Sequence, residues 1–253
     1  MTIYENFGGA IIISLLILSV LVLAIHYIKR GTKGVQLDDS NNVIERFTRF
    51  ERTLHNIRAL TFTIAAISGL VFLFIEGTVA AGMMHNISGI LFFTTSVITF
   101  FLWHKSFWFK PYDKSWLQHL GGYLTKQSLS LPAGKFNAGQ KIFFWITILL
   151  PIFLLATGIN LFISRITETE ADGTILIIHA GTATLATILV VGHIYLSLWA
   201  NKGTWRVLKN GKVSVKWAQS NHPNWEIENP KSKPSIKANS KSKPKPSKNR
   251  VSI

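Results

Sequence analysis

The chain has 253 residues, of which 48% are hydrophobic and only 15% are charged, and its formal net charge at pH 7 is +15. A soluble domain usually carries about 25% charged residues, so this composition favours a membrane protein. Cysteine is absent, which excludes disulfides, thiolate-bound iron–sulfur clusters and covalent haem c attachment from this chain.

Five apolar stretches are each long enough to cross a bilayer, which takes about 20 residues. They lie near residues 9–28, 55–75, 85–103, 142–163 and 174–200. The first stretch has neither a basic n-region nor a small-residue cleavage site, so we interpret it as a retained anchor and not as a signal peptide. The chain is therefore predicted to be an all-α membrane protein.

The basic residues indicate membrane topology and not a nucleic-acid partner. Five spans place the two termini on opposite sides, and with the C-terminus inside, every lysine and arginine except Arg165 falls on the inner side. The positive-inside rule then predicts that the N-terminus lies outside and the C-terminus inside. The tail, 229–253, is rich in Lys, Ser and Pro and is predicted to be disordered and solvated. Attraction of this tail to anionic lipid headgroups is the alternative.

The histidines carry the main functional signal. His179 and His193 are 14 residues apart in the last span, which is about four helical turns, so both rings point to nearly the same face about 21 Å apart along the axis. Topology places His85 at the depth of His179, and His55 at the depth of His193. Polar rings inside a membrane helix are costly unless they are engaged. Two pairs, each clamping one haem iron between two helices, are therefore predicted.

Each of these histidines has other interpretations. Any one of them taken alone suits an interfacial residue, but four that match in depth do not. Zinc and copper also bind imidazole, but their sites usually recruit carboxylates or thiols, which are missing here. Small residues beside His85, His179 and His193 leave room for a flat macrocycle, and they equally favour helix packing. Of the other histidines, His26 is expected at the interface without a partner, and the remaining three are expected to be solvated or in contact with a partner protein: His104, His119 and His222.

A second motif, KFNAGQK at residues 135–141, precedes the fourth span. Asn137 and Gln140 are three residues apart and offer amide groups to a bound carbonyl, while Gly139 allows close backbone approach. The alternative is the N-terminal flank of a helix with Asn137 as its cap. Spacing alone favours the cap.

Several segments together resemble one known family. They are RFTRFERTLH at 46–55, KFNAGQK at 135–141, HAG at 179–181, HIYLSLW at 193–199, GKVS at 211–214, WA at 217–218 and HPNW at 222–225. This series resembles the gamma (cytochrome b556) subunits of respiratory formate dehydrogenases, which are di-haem membrane cytochromes b. The histidine pattern alone also resembles the cytochrome b anchors of NiFe hydrogenases and of thiosulfate or polysulfide reductases.

The resemblance implies a four-helix transmembrane di-haem cytochrome b bundle, to which this chain adds one N-terminal transmembrane helix. Two b haems would be held by His85 with His179 on the periplasmic side and by His55 with His193 on the cytoplasmic side. The implied acceptor is menaquinone or ubiquinone, with quinone contacts from residues of the second motif: Asn137, Gly139 and Gln140. The corresponding organisation is an anchor helix at 1–30, a cytoplasmic linker at 31–54, the di-haem domain at 55–228 and the tail.

The resemblance also implies partners and a location. An iron–sulfur subunit and a molybdenum or tungsten catalytic subunit would lie on the periplasmic side of the bacterial inner membrane, and family complexes form higher oligomers. The chain itself would break no substrate bond and would pass electrons through the haems to the quinone. The alternatives are the equivalent anchor of a hydrogenase or sulfur-compound reductase, electron flow in the reverse direction, and a haem-free membrane scaffold or transporter.

Overall fold

The computed structural model describes residues 3–31, 42–72, 78–125, 129–201 and 204–225. Within them, five helices are long and apolar enough to cross a membrane, as predicted, and the protein is a multi-pass membrane protein. The helices are α1 (Ile3–Arg30), α2 (Arg49–Phe72), α3 (Val79–Trp103), α4 (Asp113–Gln118), α5 (Ala138–Ile166), α6 (Gly173–Tyr195), α7 (Arg206–Asn210) and α8 (Val215–Asn221), and the strands are β1 (Val43–Glu45) and β2 (Lys212–Ser214). A 3-10 turn follows α3, and a π-helical turn, Leu196–Ala200, follows α6.

Polar capping residues start the long helices before their apolar spans begin. Ahead of α2, the Glu51 amide donates to Thr48 Oγ1 at 3.3 Å, and the Thr48 amide donates to the Glu51 carboxylate at 2.7 Å. This reciprocal pair is a capping box, and it starts the helix six residues before the predicted span. Thr78 caps α3 in a similar way. Hydropathy detects only the apolar part of a helix, so the predicted spans begin later than the helices do. His55 and His85 therefore lie inside α2 and α3 and not at their first residues.

The helices pack in the order α2, α3, α5, α6 and α1. The first four of these form a bundle, and α1 lies against the outside of α6, which agrees with the extra helix that the sequence predicted. Among the described helices, α6 packs closely on α5 and α1 but not on α2 or α3. The two helices that face the histidines of α6 therefore stand apart from it.

One end of the bundle carries a small layer that contains β1, β2, α7 and α8, which we call the polar layer. We call this end of the bundle the strand end. There β1 pairs antiparallel with β2, with Ile44 opposite Val213. Val213 and Trp217 lie in the buried core behind the strands. Gly211 ends α7 in the left-handed region at φ 76°, where a Cβ would collide with the Phe47 carbonyl oxygen.

The layer changes two of the predicted segments. The linker predicted at 31–54 contains β1 and the start of α2. Thr48 and Glu51, which form the capping box of α2, lie within it. The end of the domain predicted at 55–228 contains β2 and α8. Residues 32–41 and 226–253, with the predicted tail, lie outside the described residues. The opposite end of the bundle, where α2 leads to α3 and α5 leads to α6, is called the far end below.

Candidate cofactor site

His85 and His179 face each other at the far end, with ring centroids 6.2 Å apart. His85 Nδ1 lies 3.0 Å from Ala65 O and 3.0 Å from Ser68 Oγ. A carbonyl oxygen only accepts, so Nδ1 must carry the hydrogen. The Ser68 hydroxyl donates to Ile64 O at 2.7 Å and is thus free to accept from the ring. His85 Nε2 keeps its lone pair and is the ring atom able to bind a metal.

The His179 ring is oriented in the same way. Its Nδ1 lies 2.8 Å from Thr157 Oγ1, and that hydroxyl donates to Phe153 O at 2.7 Å. The Thr157 oxygen therefore accepts from His179 Nδ1–H, and Nε2 is again the free atom. A backbone-anchored hydroxyl on the preceding helix thus fixes the tautomer of each far-end histidine.

A glycine follows each of these hydroxyl residues and touches the same ring. A Cβ at Gly69 would lie 3.2 Å from His85 Cε1, and one at Gly158 would lie 3.4 Å from His179 Cε1. The dipeptides Ser68–Gly69 and Thr157–Gly158 are thus two copies of one arrangement. Sequence reasoning missed them, although a hydroxyl–glycine dipeptide on the helix before each histidine is a readable signal.

His55 and His193 face each other at the strand end, with ring centroids 6.3 Å apart. The His193 ring stacks on Phe143 at 4.7 Å with an interplanar angle of 10°. His55 Nδ1 is buried and has no hydrogen-bond partner in the described part of the chain. His193 is thus held by ring packing, whereas the far-end histidines are held by hydroxyl groups.

Both pairs have the spacing of a metal ion held between two imidazoles. Two metal–nitrogen bonds of about 2.0–2.1 Å place the ring centres about 6 Å apart. Nowhere in the described ranges do three or more His, Cys, Asp or Glu side chains gather as a metal site, so the chemistry is that of two imidazoles alone. Helix α6 does not pack closely on α2 or α3, the helices that carry the other two histidines. The paired imidazoles and their spacing fit a bis-histidine haem iron.

A half-buried arginine lies between the two pairs. Arg58, one turn after His55, donates from Nε to Ser96 Oγ at 3.0 Å and from Nη2 to Thr147 O at 2.5 Å. Thr147 O needs this donor because Pro151, four residues later in α5, has no amide hydrogen. Sequence reasoning counted Arg58 only as a topology charge.

The second motif forms the start of α5. Asn137 Oδ1 accepts from the Gln140 amide at 2.9 Å, and Gln140 Oε1 accepts from the Asn137 amide at 3.0 Å. The helix-cap alternative is therefore what the structure shows. These two bonds use only the side-chain oxygens, and the amide NH₂ groups take no part in them. A Cβ at Gly139 would collide with Trp116, so this glycine serves the packing of that ring.

Two of the other histidines are more engaged than predicted. His26 Nε2 donates to Tyr123 O at 2.9 Å, and its Nδ1 accepts from Tyr195 Oη at 2.6 Å. No second histidine pairs with His26 among these contacts, but its ring is held by two hydrogen bonds because the last turns of α1 pack against α6. His104 is half-buried on Phe100, and His119 is exposed.

His222 was expected to be solvated or in contact with a partner protein, but it is buried in the polar layer of this chain. Its Nδ1 donates to Gly134 O at 2.7 Å, and its Nε2 accepts from Arg46 Nη2 at 3.2 Å. Burial, together with the Arg46 charge, lowers the pKa of His222 to about 3. Burial also lowers the pKa of Arg46 to about 10. The Arg46 guanidinium lies 4.9 Å from the centre of the Trp217 ring.

Comparison with known proteins decides the family. The family model described as prokaryotic cytochrome b561 matches residues 46–210, more than half of the chain. The chain belongs to the prokaryotic cytochrome b561 family. The matched residues include His55, His85, His179 and His193, and cytochromes b bind haem b. Helix α1 precedes the residues matched to the cytochrome b561 family.

Relatives of this cytochrome b561 family member agree with the resemblance read from its motifs. The chain is 31% identical over 197 residues to the formate dehydrogenase cytochrome b556(fdo) subunit of Escherichia coli K12, covering 73% of this chain and 92% of that protein. It is 28% identical over 209 residues to the nitrate-inducible formate dehydrogenase cytochrome b556(Fdn) subunit of the same strain, covering 76% and 95%. It is 27% identical over 205 residues to the formate dehydrogenase cytochrome b556 subunit of Haemophilus influenzae KW20, covering 76% and 85%.

Proposed function

We propose that this protein is the membrane cytochrome b subunit of a formate dehydrogenase complex and that it conducts electrons through two b haems to a quinone. The observation that carries the proposal is the presence of two histidine pairs at opposite ends of one bundle, with ring centroids 6.2 and 6.3 Å apart. The names of the relatives support formate dehydrogenase over a hydrogenase or a sulfur-compound reductase.

The histidines hold the two haems in this proposal. His85 and His179 bind the iron at the far end, and His55 and His193 bind the iron at the strand end. Haem b, when bound, supplies one-electron transfer between the ferric and ferrous states of its iron. Two protein ligands leave no open position for oxygen, so the ligand set favours electron transfer. The protein's task is to hold the cofactors at fixed positions and to tune their potentials.

Quinone binding is assigned to the start of α5. The NH₂ groups of Asn137 and Gln140 are donors that the capping bonds do not use, and a quinone carbonyl is an acceptor. Both residues are half-buried at the strand end, which suits a site reached from the bilayer interface. Gly139 contributes indirectly, by letting Trp116 close the space behind them.

We assign the two ends of the bundle to the two sides of the membrane from the distribution of charged residues. Basic residues gather at the strand end and in the segments next to it, so this end is assigned to the cytoplasm. The far end carries acidic residues in the α5–α6 connection, Glu168, Glu170 and Asp172, and is assigned to the periplasm. An iron–sulfur subunit would deliver electrons there from a molybdenum or tungsten catalytic subunit, where formate is oxidised. Proton uptake with quinone reduction at the cytoplasmic side would then add to the membrane potential.

Anaerobic reduction of the purified complex tests this assignment. The full chain is isolated with its natural partners, and formate is added with and without a quinone. Formate should reduce the haem, and added quinone should reoxidise it. If hydrogen or a sulfur compound reduces the haem while formate does not, the formate dehydrogenase assignment is wrong.

A further inference from the structure

We propose that Arg58 makes the strand-end haem the more easily reduced of the two, so that electrons move downhill from the far end to the strand end. This inference rests on the proposed function, because it requires one haem at each histidine pair. It assigns a tuning role to a residue that touches neither substrate nor iron.

Arg58 lies nearer to the strand-end histidine pair than to the far-end pair. It lies three residues after His55 on α2, about 4.5 Å along the helix axis. The contact of α2 with His85, at Ala65, lies seven residues further on, about 10 Å along the axis. The Arg58 acceptor Thr147 lies four residues after Phe143, whose ring stacks on His193 of the strand-end pair. Thr157, which bonds His179 of the far-end pair, lies ten residues further along α5, about 15 Å along the helix axis.

The contacts of Arg58 hold its charge in place without neutralising it. Ser96 Oγ and Thr147 O are both uncharged acceptors. The guanidinium also lies 5.5 Å from the centre of the Phe92 ring. A fixed charge inside a membrane bundle is costly and in general marks a functional position. Pro151 provides the means of holding it, by leaving Thr147 O without a helical donor.

A fixed positive charge favours the redox state that carries less positive charge. Reduction adds one electron to the iron, so a nearby cation stabilises the ferrous state and raises the potential. The Coulomb energy falls with distance and is large in a medium of low dielectric constant. The nearer site therefore gains more than the far one, and the difference drives electrons towards the strand end.

Optical redox titration of the purified complex tests the inference, with Arg58→Gln as the variant and Arg58→Lys as the charge-keeping control. Two components should titrate in the wild type. In Arg58→Gln the strand-end component should become at least about tenfold harder to reduce, which is about 59 mV for one electron. The far-end component should move less. Arg58→Lys should keep most of the wild-type gap.

A second variant assigns the components. Thr157→Val removes the hydroxyl that orients His179 and should move only the far-end component, so the other component belongs to the strand end. If Arg58→Gln does not accumulate, the double variant Arg58→Gln/Pro151→Ala is titrated, because residue 151 then restores a helical donor to Thr147 O.

Three outcomes separate the two proposals. The inference is overturned if the strand-end component is the lower one in the wild type, which needs no Arg58 variant. It is also overturned if loss of the Arg58 charge moves neither component. A folded wild-type protein without two haems would instead overturn the proposed function itself.

Discussion

Thr157 and His179 form a hydrogen bond of 2.8 Å in which the ring is the donor. The hydroxyl donates to the backbone of α5, which leaves its oxygen to accept from the ring. The bond therefore sets both the tautomer and the orientation of the imidazole before any cofactor binds. Ser68 does the same for His85 from α2, which makes the far-end site pre-organised.

Replacing Thr157 with Val should weaken haem binding at the far end and raise the potential of that haem. The ring loses the acceptor that makes it a better ligand, and loss of such a partner typically costs 10–100-fold in metal affinity, taken as an order of magnitude. Haem content after prolonged washing and optical redox titration measure the two effects. Thr187→Val is the matched control, because the Thr187 hydroxyl bonds only the backbone of α6. Equal behaviour of the two variants would contradict the orienting role of Thr157.

Asn137 offers a test that separates helix capping from quinone binding. Asn137→Ala removes both the cap and the amide donor, whereas Asn137→Ser keeps a good cap and removes only the amide. Loss of the cap alone should cost about 1 kcal/mol of stability. If Asn137 contacts quinone, both variants should reduce quinone slowly while formate still reduces the haem.

The measurement for this test is the rate of quinone reduction by the complex, set beside the thermal stability of each variant. A Ser variant with wild-type quinone turnover, beside an impaired Ala variant, would mean that Asn137 is only a cap. The quinone assignment for this residue would then fall.

The polar layer at the strand end should weaken in acid. The pKa of His222 is lowered to about 3 in the folded protein by burial and by Arg46, whereas an unfolded histidine titrates near about 6.5. A histidine with a lowered pKa stabilises the fold fully above its unfolded value, and this stability is lost as pH falls towards the folded value. Between pH 7 and pH 5 the layer should lose about 2 kcal/mol.

Hydrogen exchange of residues 211–225, corrected for the intrinsic rate at each pH, measures this loss. His222→Gln is the control, because an amide keeps a donor and an acceptor but does not titrate in this range. The same acid sensitivity in the Gln variant would show that another group is responsible.

Much of the architecture was readable from the sequence, because span length and hydropathy are local properties. The five long helices and the extra first helix were predicted in this way. Matching histidines by depth needed only the topology, and the structure brings together the same pairs, although their role as haem ligands stays a prediction.

The features that sequence reasoning missed depend on contacts between distant residues. Arg58 donates to the backbone carbonyl of Thr147, which lies 89 residues later in the chain and is left without a helical donor by Pro151. Neither the composition nor the hydrophobic periodicity of the sequence predicts such a bond. His222 was placed in the tail and was expected to be solvated or in contact with a partner protein. Its burial depends on Arg46 and Gly134, which arrive from other segments. Capping boxes at Thr48 and Asn137 were visible as residue pairs, but only the latter was considered.

The central claim is that two histidine pairs each hold one b haem, and a haemochrome spectrum with haem counted per polypeptide tests it most directly. The full chain in its purified complex is compared with His179→Ala and with His119→Ala, whose histidine is exposed and outside both pairs. The account predicts two haems b for this chain in the wild type and in His119→Ala, and a loss of at least one in His179→Ala. A folded wild-type chain without haem, or a His179→Ala variant that keeps both haems, would contradict it.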